Sequence, residues 1–507
     1  MDKILDANSL KKTISNLKKN KKKIVLCHGV FDLLHIGHIE YFKEAKTAGD
    51  ILIVSVTSNK YVNKAPGRPN FNTKQRINLL SSLSVIDYVL ASDSETAENV
   101  IKLIKPNIYY KGSDYKDNKK DITNNIKKEI NLLKRYKGKI LYAKTEVYSS
   151  SKILNRHVSE NLVIKSFIES LKKKYSFDLI NKIIEKASKI SVLVVGEAIF
   201  DKFTFCNYLG RSGKENILTV DKVEEKILIG GSLSLGKHVS AISKKVTVCS
   251  AVGRNQKEND FIKKNISKNM YLNLIKSEDT PTIIKEKIVE LSDNLKLLGI
   301  YRFKDRPLSE KNRKNFKSRI FKELKKNQIV LISDYGHGLI SKKLAQDIIK
   351  IKKKDLFVNT QLNAANFGYH TIGKYLNTPF AVINETELRH ELRNRDADIS
   401  KLLPILSRKL NIKTLIVTAG AKGSYGFNQQ SKKISYCPAF TNIFKDKIGA
   451  GDCYMGIFSI IYKIYPKDIK LAMFIASMAT IDSMSGYGSE FLVNKVRLKK
   501  RILYTLK

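Results

Sequence analysis

Short apolar runs alternate with amphipathic stretches along this chain, and the alternation constrains the fold more than any other feature. Near the N-terminus the apolar runs KIVLCHG, ILIVSVT and DYVLAS are separated by HIEYFKEAKTAG and TKQRINLLSSL. Apolar runs of this length are typical of buried strands, and the stretches between them have helical spacing. Strands that alternate with helices form βαβ units with a parallel sheet. The first part of the chain is therefore predicted to be an α/β domain.

The same alternation returns after residue 190, in runs that include ISVLVVGEAIFD, KKVTVCSAVG, QIVLISDYGHG and TLIVTAGAKGS. The stretch between the two series has helical spacing and no strand pattern. We therefore predict two α/β domains joined by helix. The predicted limits are an N-terminal helical extension at 1–20, a first domain at 21–157, a helical connector at 158–189 and a second domain at 190–507.

Composition narrows the class of protein. The 507 residues are 42% hydrophobic, as expected for a globular protein of two or three domains. No apolar run is long enough to span a bilayer, and the N-terminus lacks the apolar segment of a signal peptide. The five cysteines are scattered without a CxxC pair, so neither a disulfide framework nor a zinc knuckle is indicated. We expect a cytoplasmic protein with reduced thiols and no membrane partner.

The formal net charge of +45 is the largest compositional anomaly. A field of that sign attracts nucleic acid, anionic membranes and phosphorylated metabolites. However, the lysines are spread along the whole chain together with abundant Ile and Asn, which favours a general compositional bias. Nucleic-acid binding through a basic surface stays open as an alternative, and it predicts binding that weakens steeply with salt.

The stretch CHGVFDLLHIGHIEYF places His35 and His38 three residues apart, directly after an apolar run. A strand that ends in a small-residue turn and leads into a helix presents backbone N–H groups at the sheet edge, where anions bind. Two imidazoles near that helix start can donate hydrogen bonds to the oxygens of a triphosphate. Taken alone, paired histidines also suit a metal site or an ordinary surface.

This stretch resembles the HxGH signature of the cytidylyltransferase-like nucleotidyltransferase superfamily. Four further blocks follow in the same order as in that family: VNKAPGRPNF, TKQRINLLSSLSVIDYV, IKPNIYYKGSDY and YSSSKIL. The resemblance implies a Rossmann-like domain that holds nucleotide phosphates, with His35, His38 and Lys64 as catalytic residues. The other residues it implies in nucleotide or phosphate binding are Gly29, Phe31, Gly37, Arg68, Arg76, Lys111, Gly112, Asp114, Ser149, Ser150 and Ser151.

The last of these blocks bears on the choice of nucleotide. YSSSK is more similar to the aromatic-STT turn of heptose-phosphate adenylyltransferases than to the RTxGISTT turn of glycerol-phosphate cytidylyltransferases. The resemblance therefore favours ATP, and CTP remains an alternative.

In the second half, the stretch DKIGAGDCYMG contains a Gly-Ala-Gly turn at a predicted helix start. Such a turn presents N–H groups to a transferring phosphoryl group, and an aspartate there can accept the proton of an attacking hydroxyl. Asp452 is the candidate base, and Gly449, Ala450 and Gly451 form the candidate anion hole. As a bare pattern, GAGD also fits any tight turn between a strand and a helix.

The surrounding segments resemble the ribokinase-like carbohydrate kinases of the pfkB type, and there is no GxxxxGK[ST] loop. The resemblance implies that Asp201, Gly230, Gly231 and Lys285 bind the sugar. It implies that Asn384 and Glu387 serve a magnesium and phosphate network, with Thr418, Gly420 and Gly423 on the nucleotide side. Two positions depart from the family pattern: Ser234 replaces the usual asparagine of the sugar site, and Ile448 replaces the usual threonine before GAGD.

Together the halves resemble the bifunctional heptose kinase/adenylyltransferases, with the domains in reversed order. This resemblance implies a nucleotide-sugar pathway for surface glycan precursors, with ATP and Mg²⁺ as cosubstrate and cofactor. One site phosphorylates a sugar similar to heptose phosphate. The other transfers a nucleotidyl group, AMP rather than CMP, to a sugar 1-phosphate and releases pyrophosphate. A homodimer is a further implication. The departures at Ser234 and Ile448 leave an alternative in which the kinase-like half only binds or acts as a scaffold.

Overall fold

The computed structural model describes residues 3–62, 69–112, 125–143, 162–278, 280–441 and 444–506. The chain forms two compact units. The first comprises Met1–Ile168 with Lys499–Lys507, and the second comprises Glu169–Leu498. The division at 168/169 falls inside the predicted connector, whose described residues include two α-helices. Among the described residues, no helix combines the length and apolar character needed to cross a membrane.

The first unit contains a five-stranded parallel sheet in the order β3-β2-β1-β4-β5. Its strands are β1 (Ile24–Gly29), β2 (Ile51–Thr57), β3 (Tyr88–Ser92), β4 (Ile108–Lys111) and β5 (Lys139–Tyr142). Its helices are α1 (Ala7–Lys19), α2 (Ile36–Thr47), α3 (Thr73–Ser81), α4 (Glu98–Ile104) and α5 (Asn125–Arg135). The predicted α/β fold is confirmed for this unit.

The strand order of this sheet determines where a ligand can bind. The chain passes from β1 outward to β2 and β3, and then returns to β4 on the other side of β1. Between β1 and β4 the connections therefore leave the sheet in opposite directions, which opens a crevice at the carboxyl ends of these strands. The helix α2 begins beside this crevice, because it follows β1 directly.

The second unit is preceded by α6 (Leu162–Lys172), which spans the division, and it begins with α7 (Phe177–Lys186). Its main sheet has nine strands in the order β10-β9-β6-β13-β14-β15-β16-β17-β18. The strands are β6 (Ser191–Gly196), β9 (Lys245–Gly253), β10 (Met270–Ser277), β13 (Ile329–Asp334), β14 (Leu356–Thr360), β15 (Phe380–Asn384), β16 (Thr414–Thr418), β17 (Ser424–Asn428) and β18 (Lys433–Cys437). All of these pairings are parallel except those of β17 with β16 and with β18.

Helices cover this sheet and bury its apolar strands. They are α8 (Ser232–Ser240), α9 (Gln256–Lys264), α10 (Glu310–Leu324), α11 (Lys342–Ile351), α12 (Glu385–Leu392), α13 (Ile399–Leu410), α14 (Ala450–Ile464) and α15 (Ile469–Ser483), and α16 (Lys495–Leu506) closes the chain. The strand β13 is buried along its whole length, as expected for a central parallel strand with helices on both faces. The second predicted α/β domain is thus confirmed.

A second sheet of four strands was not predicted from the alternation. Its order is β12-β11-β7-β8, formed by β7 (Ala198–Arg211), β8 (Leu218–Gly231), β11 (Ile283–Glu290) and β12 (Lys296–Arg302). The run ISVLVVGEAIFD, read as one strand, is divided at Glu197 between β6 of the main sheet and β7 of this one. Polar and charged residues interrupt β8 and β11, so these strands lack the continuous apolar pattern of the main sheet.

Candidate active sites

In the first unit, the two predicted histidines lie together at the start of α2. His35 is the residue that precedes the helix, and the His38 N–H donates to the His35 carbonyl oxygen at 2.8 Å. The imidazole ring centroids are 4.0 Å apart. Because the helix N-terminus carries unpaired N–H groups and a partial positive charge, this position favours an anionic ligand. The pair thus sits beside the crevice between β1 and β4.

Phe31 packs its side chain against the histidine pair. Its backbone lies in the left-handed region, with φ of 49°, and its side chain is buried. The ring contacts His38 edge-on at 5.7 Å and also packs against Phe42. It folds back over Gly29, where a Cβ atom would lie only 3.0 Å from the ring. The structure therefore gives Phe31 and Gly29 a packing role under the histidines.

Arg76 has a different role from the predicted phosphate contact. Its side chain is fully buried, and its five N–H groups are all engaged within the protein. The acceptors are the carbonyl oxygens of Val30 and Thr57 at 2.7 and 2.9 Å, that of Phe71 at 2.9 Å, Asn59 Oδ1 at 2.6 Å and Thr73 Oγ1 at 3.4 Å. No donor remains for a phosphate, so we correct the assignment: Arg76 joins α3 to the loops after β1 and β2.

Substitution of Arg76 should therefore affect stability. We expect Arg76→Met to lower the free energy of unfolding of the first unit by about 3 kcal/mol or more, because several buried acceptors lose their donors. Urea unfolding followed by hydrogen exchange in peptides of β1 and β2 measures this unit separately. The exposed Arg135 on α5 provides the control, since Arg135→Met should change the same free energy by less than about 0.5 kcal/mol. Equal effects of both changes would contradict the role assigned here.

Lys111 is also turned inward. It is buried at the end of β4 and forms an ion pair with Glu129 Oε2 at 3.5 Å. The other oxygen of Glu129 accepts the Ala97 N–H at the start of α4, and the Lys111 charge lowers the pKa of this carboxyl against the effect of its burial. Lys111, which was predicted to bind phosphate, thus neutralises the buried Glu129 carboxylate in this structure.

The remaining predicted residues of this site are placed as follows. Gly37 lies in the first turn of α2, and Gly112 directly follows β4. Lys64, Arg68, Asp114, Ser149, Ser150 and Ser151 lie outside the described residues. One residue that the sequence did not single out is His28 at the end of β1, which contacts Ser55 Oγ at 3.0 Å and Thr57 Oγ1 at 3.4 Å. Burial lowers the pKa of His28 to about 4, so it is neutral and braces β1 against β2.

In the second unit, Asp452 lies in the first turn of α14 at the carboxyl end of the main sheet. Three side chains hold its carboxylate: Tyr335 Oη donates to Oδ2 at 2.7 Å, while Ser333 Oγ and Gln361 Nε2 donate to Oδ1 at 3.1 and 3.3 Å. Burial raises the pKa of Asp452 to about 6, although the Tyr335 and Ser333 hydrogen bonds oppose this shift. At neutral pH the group is therefore ionised and still close to its titration range.

The GAGD turn presents its backbone beside this carboxylate. Gly449 precedes the helix with φ of 79°, a conformation that favours glycine. A Cβ atom on Gly451 would meet nothing within 4 Å, so the turn is open on that side. The Ala450 N–H donates to the Lys447 carbonyl oxygen at 3.2 Å. Within the predicted anion hole, the backbone N–H groups of Gly449 and Gly451 are therefore the ones left to contact an anion.

The predicted sugar-binding residues converge where the second sheet meets the main one. Asp201 is buried on β7 and forms an ion pair with Lys287 at 2.6 Å. A Cβ atom on Gly230 would lie 2.1 Å from Asp201 Oδ2, so a larger residue there would displace this carboxylate. Gly231 has φ of 59° and precedes α8. These strands thus bring a carboxylate to within reach of the helix start.

Lys285 and Ser234 complete this group. The Lys285 ammonium lies over the Tyr335 ring at 5.4 Å, and burial lowers its pKa, while Asp201, Glu197 and Asp452 act in the opposite direction. The Ser234 hydroxyl is buried and has no hydrogen-bond partner among the described residues. It lies 3.9 Å from the position that a Cβ atom on Gly449 would occupy. The structure therefore brings Ser234 next to the GAGD turn.

The predicted magnesium residues contact each other. Asn384 and Glu387 form a capping box at the start of α12: the Glu387 N–H donates to Asn384 Oδ1 at 2.9 Å, and the Asn384 N–H donates to Glu387 Oε2 at 2.8 Å. Glu387 Oε1 accepts the Leu362 N–H at 3.3 Å, and burial raises the pKa of this carboxyl to about 7. Since both oxygens accept amide hydrogens, the pair fits the binding of a metal-bound water better than direct ligation. Among the described residues, no group of three or more His, Cys, Asp and Glu side chains forms a metal cluster.

The predicted nucleotide-side residues lie at the end of β16. The Thr418 hydroxyl donates to the Ile383 carbonyl oxygen at 3.4 Å. Gly420 and Gly423 both have positive φ. A Cβ atom on Gly420 would meet nothing within 4 Å, whereas one on Gly423 would lie 2.2 Å from the Cys437 carbonyl oxygen. Gly423 is thus required by packing, and Gly420 borders open space.

Sequence reasoning missed several buried polar residues of this site, among them Ser333, Tyr335, Gln361 and Asp446. The first three lie at or just after the carboxyl ends of the adjacent strands β13 and β14, a position that could have marked them. Asp446 is buried, forms an ion pair with Lys296 at 2.6 Å and accepts the Gly488 N–H at 3.2 Å. It thereby anchors the loop before GAGD to the second sheet. The substituted Ile448 in that loop packs against an apolar cluster that contains Phe203, Phe205, Val289 and Tyr487.

Comparison with known proteins finds a family match within each unit. Residues 26–156 match the cytidylyltransferase-like family, and residues 234–461 match the pfkB family of carbohydrate kinases. The second match includes Lys285 and Asp452, whereas Asp201 and the Gly230–Gly231 pair precede it.

Curated relatives match the N-terminal half. The "Bifunctional protein HldE" of Nitratiruptor sp. is 39% identical over 138 residues, which is 27% of this chain and 30% of the relative. The protein of the same description from Helicobacter pylori strain G27 is 40% identical over 149 residues, 29% of this chain and 30% of the relative. The chain thus matches less than a third of the length of these relatives.

A solved structure extends the comparison to the second unit. The structure of phosphofructokinase-2 from Escherichia coli in complex with potassium aligns with a TM-score of 0.50 and 13% sequence identity. The alignment covers 63% of this chain and all of that chain. At this identity the likeness supports the ribokinase-like fold alone.

Proposed function

We propose that this chain, which combines a cytidylyltransferase-like domain with a pfkB carbohydrate kinase domain, catalyses two separate reactions of nucleotide-sugar synthesis. In the second unit a sugar hydroxyl attacks the γ-phosphorus of ATP, the hydroxyl proton passes to Asp452, and ADP leaves. In the first unit a phosphate oxygen of a sugar 1-phosphate attacks the α-phosphorus of a nucleoside triphosphate, and pyrophosphate leaves.

One observation carries the kinase proposal: an ionised, buried carboxylate lies in the same helical turn as an open glycine backbone. Asp452 has a pKa of about 6, near the pH at which the enzyme would work, which is the condition for an efficient general base. The N–H groups of Gly449 and Gly451 would stabilise the charge on the transferred phosphoryl group. This arrangement favours an active kinase over a unit that only binds or acts as a scaffold.

The transferase proposal rests on the position of His35 and His38 at the N-terminus of α2. Transfer of a nucleotidyl group needs charge stabilisation and alignment more than a protein nucleophile. The imidazoles would donate hydrogen bonds to phosphate oxygens as negative charge moves to the leaving pyrophosphate. Lys64 and Arg68 lie outside the described residues, and the family resemblance alone supports a role for their charges in binding the triphosphate.

A divalent metal is implied at both nucleotide sites, and Mg²⁺ with ATP is the proposed pair. It would neutralise charge on the triphosphate when bound. In the second unit Asn384 and Glu387 would orient its water ligands. We further propose a heptose phosphate-like acceptor for the kinase and AMP rather than CMP for the transferase, with CTP as the competing nucleotide.

The direct test is product identification. The full-length protein would be incubated with Mg²⁺, ATP or CTP, and a panel of heptose and hexose phosphates, followed by mass spectrometry. The proposal expects a phosphorylated sugar from one subset of acceptors and a nucleotide sugar from sugar 1-phosphates, with equimolar pyrophosphate. If nucleotides bind tightly but no acceptor of the panel is converted, the proposal of two active sites is wrong.

Gly230 offers a test of the sugar site. We expect Gly230→Ala to lower kcat/KM for the sugar on the order of 100-fold, because the new Cβ atom displaces the Asp201 carboxylate. Steady-state kinetics with varied sugar measures this loss, and pyrophosphate release should be unchanged. Gly213, in the turn between β7 and β8, provides the control: a Cβ atom there meets nothing within 4 Å, so Gly213→Ala should retain kinase activity. An unchanged kcat/KM in Gly230→Ala would exclude Asp201 from sugar binding.

A further inference from the structure

The hydrogen bond between Tyr335 and Asp452 has no counterpart in the roles assigned so far. Tyr335 directly follows β13, its side chain is buried, and its hydroxyl donates to Asp452 Oδ2 at 2.7 Å. This is the shortest of the bonds that the described residues make to this carboxylate, and the other two both go to Oδ1. The orientation of Oδ2 therefore depends on the tyrosine.

Tyr335 is itself held on several sides. Its N–H donates to Glu197 Oε2 at 2.9 Å, and its carbonyl oxygen accepts from the side chains of Asn363 and Asn366 at 2.9 and 2.8 Å. The Lys285 ammonium lies over its ring at 5.4 Å. Because both backbone groups and the ring face are engaged, moving the phenol away from Asp452 would break several contacts. It is a rigid donor aimed at the candidate base.

We propose that Tyr335 is a positioning residue for the kinase reaction: its hydroxyl fixes the Asp452 carboxylate and stabilises its ionised form. This inference rests on the proposed function, in which Asp452 takes the proton of the sugar hydroxyl. The tyrosine keeps its own proton throughout. A neutral donor on one carboxylate oxygen leaves the remaining lone pairs available for the attacking hydroxyl.

The groups around Asp452 determine the sign of the expected pH effect. Burial and the neighbouring Asp201 raise its pKa, whereas Tyr335, Ser333 and the Lys285 charge lower it. Glu387 also belongs to this group: burial raises its pKa, and the Asp452 charge raises it further. Glu197 reaches the site through the Tyr335 backbone. Loss of the phenol hydroxyl therefore raises the pKa of Asp452, and the base becomes ionised only at higher pH.

The test is the pH profile of kcat/KM for Tyr335→Phe in the full-length protein. The wild-type kinase should lose activity below about pH 6. In Tyr335→Phe we expect this acidic limb to move up by about one pH unit, so that activity on the limb falls roughly tenfold. The KM for ATP should change little. A profile that superimposes on that of the wild type would overturn the inference.

Tyr375 provides a matched control. It is another fully buried tyrosine, and its hydroxyl donates to Asp334 Oδ2 at 2.6 Å. Tyr375→Phe removes the same atom from a similar pair without touching Asp452, so its acidic limb should stay at the wild-type position. If both variants shifted the limb equally, a general loss of packing rather than the bond to the base would be the cause, and the inference would be wrong.

Two further measurements keep the outcome decisive. If Tyr335→Phe does not fold, 3-fluorotyrosine at position 335 substitutes for it; this more acidic phenol is a stronger donor and should move the limb to lower pH. A limb that stays in place would again reject the inference.

Asp452→Asn separates the role of Tyr335 from the role of Asp452, because kinase activity that survives this change refutes the proposed base itself. Loss of activity in Asp452→Asn with no shift in either tyrosine variant refutes only the role of Tyr335.

Discussion

Asp452→Asn should abolish sugar phosphorylation while nucleotidyl transfer continues. The amide has the same shape as the carboxylate, and its single oxygen can still accept a hydrogen bond from either Tyr335 or Ser333, but the amide cannot take the proton of the sugar hydroxyl. Loss of a positioned general base typically costs 10²–10⁴-fold, so we expect kcat to fall by about 10³-fold. ADP release in the presence of an accepted sugar measures the first reaction, and pyrophosphate release measures the second.

The control for this variant is Asp355, which precedes β14 at the opposite, amino end of the same sheet. It forms an ion pair with Lys463 at 2.7 Å. Asp355→Asn removes one charge from the same unit without reaching the site, so phosphorylation should continue. Retained phosphorylation in Asp452→Asn would require another base, and loss of both reactions in a folded variant would contradict the independence of the two sites.

His38→Ala should produce the opposite result. Its imidazole centroid lies 4.0 Å from that of His35 at the start of α2, where the negative charge of the leaving pyrophosphate is expected to develop. Loss of one such donor commonly costs about 10²–10³-fold in kcat, so nucleotide-sugar formation should nearly disappear. Phosphorylation by the second unit should remain at the wild-type level in the same preparation.

Glu40 serves as the control on the same helix. It is half-exposed and pairs only with Lys43 at 3.0 Å among its described salt bridges. Glu40→Ala should therefore keep nucleotidyl transfer. Loss of activity in both variants would show that α2 does not tolerate substitution, and the effect of His38→Ala would then not be specific. Full nucleotidyl transfer in His38→Ala would exclude the histidine pair from the reaction.

The sequence was sufficient to predict the main architecture of both units. Runs such as KIVLCHG and QIVLISDYGHG are buried on both faces of a parallel sheet, so nearly every residue must be apolar and the pattern is visible without coordinates. The strands β7, β8, β11 and β12 were not recognised as a second sheet. Their charged residues, including Lys202 and Glu286, form salt bridges across neighbouring strands, so they show no continuous apolar run.

Motif spacing also placed the candidate catalytic residues at two helix starts. The histidines of HIGH and the aspartate of GAGD are close in sequence to the turns that position them, so local geometry is encoded locally. Basic residues were less predictable. Arg76 and Lys111 were expected to bind phosphate, but each is buried and neutralised or fully hydrogen-bonded by groups elsewhere in the first unit. Residue type alone does not distinguish a buried donor from a ligand contact.

By itself, then, the sequence determined the two mainly parallel sheets and the turns that carry His35, His38 and Asp452. Only the tertiary structure revealed which groups surround the candidate base: Tyr335 and Asp452 are 117 residues apart in the chain, and no local pattern links them. They meet because β13 lies near the centre of the sheet and α14 begins at its carboxyl end. The charge state of a buried carboxylate depends on such distant partners, since burial and hydrogen bonding change its pKa in opposite directions.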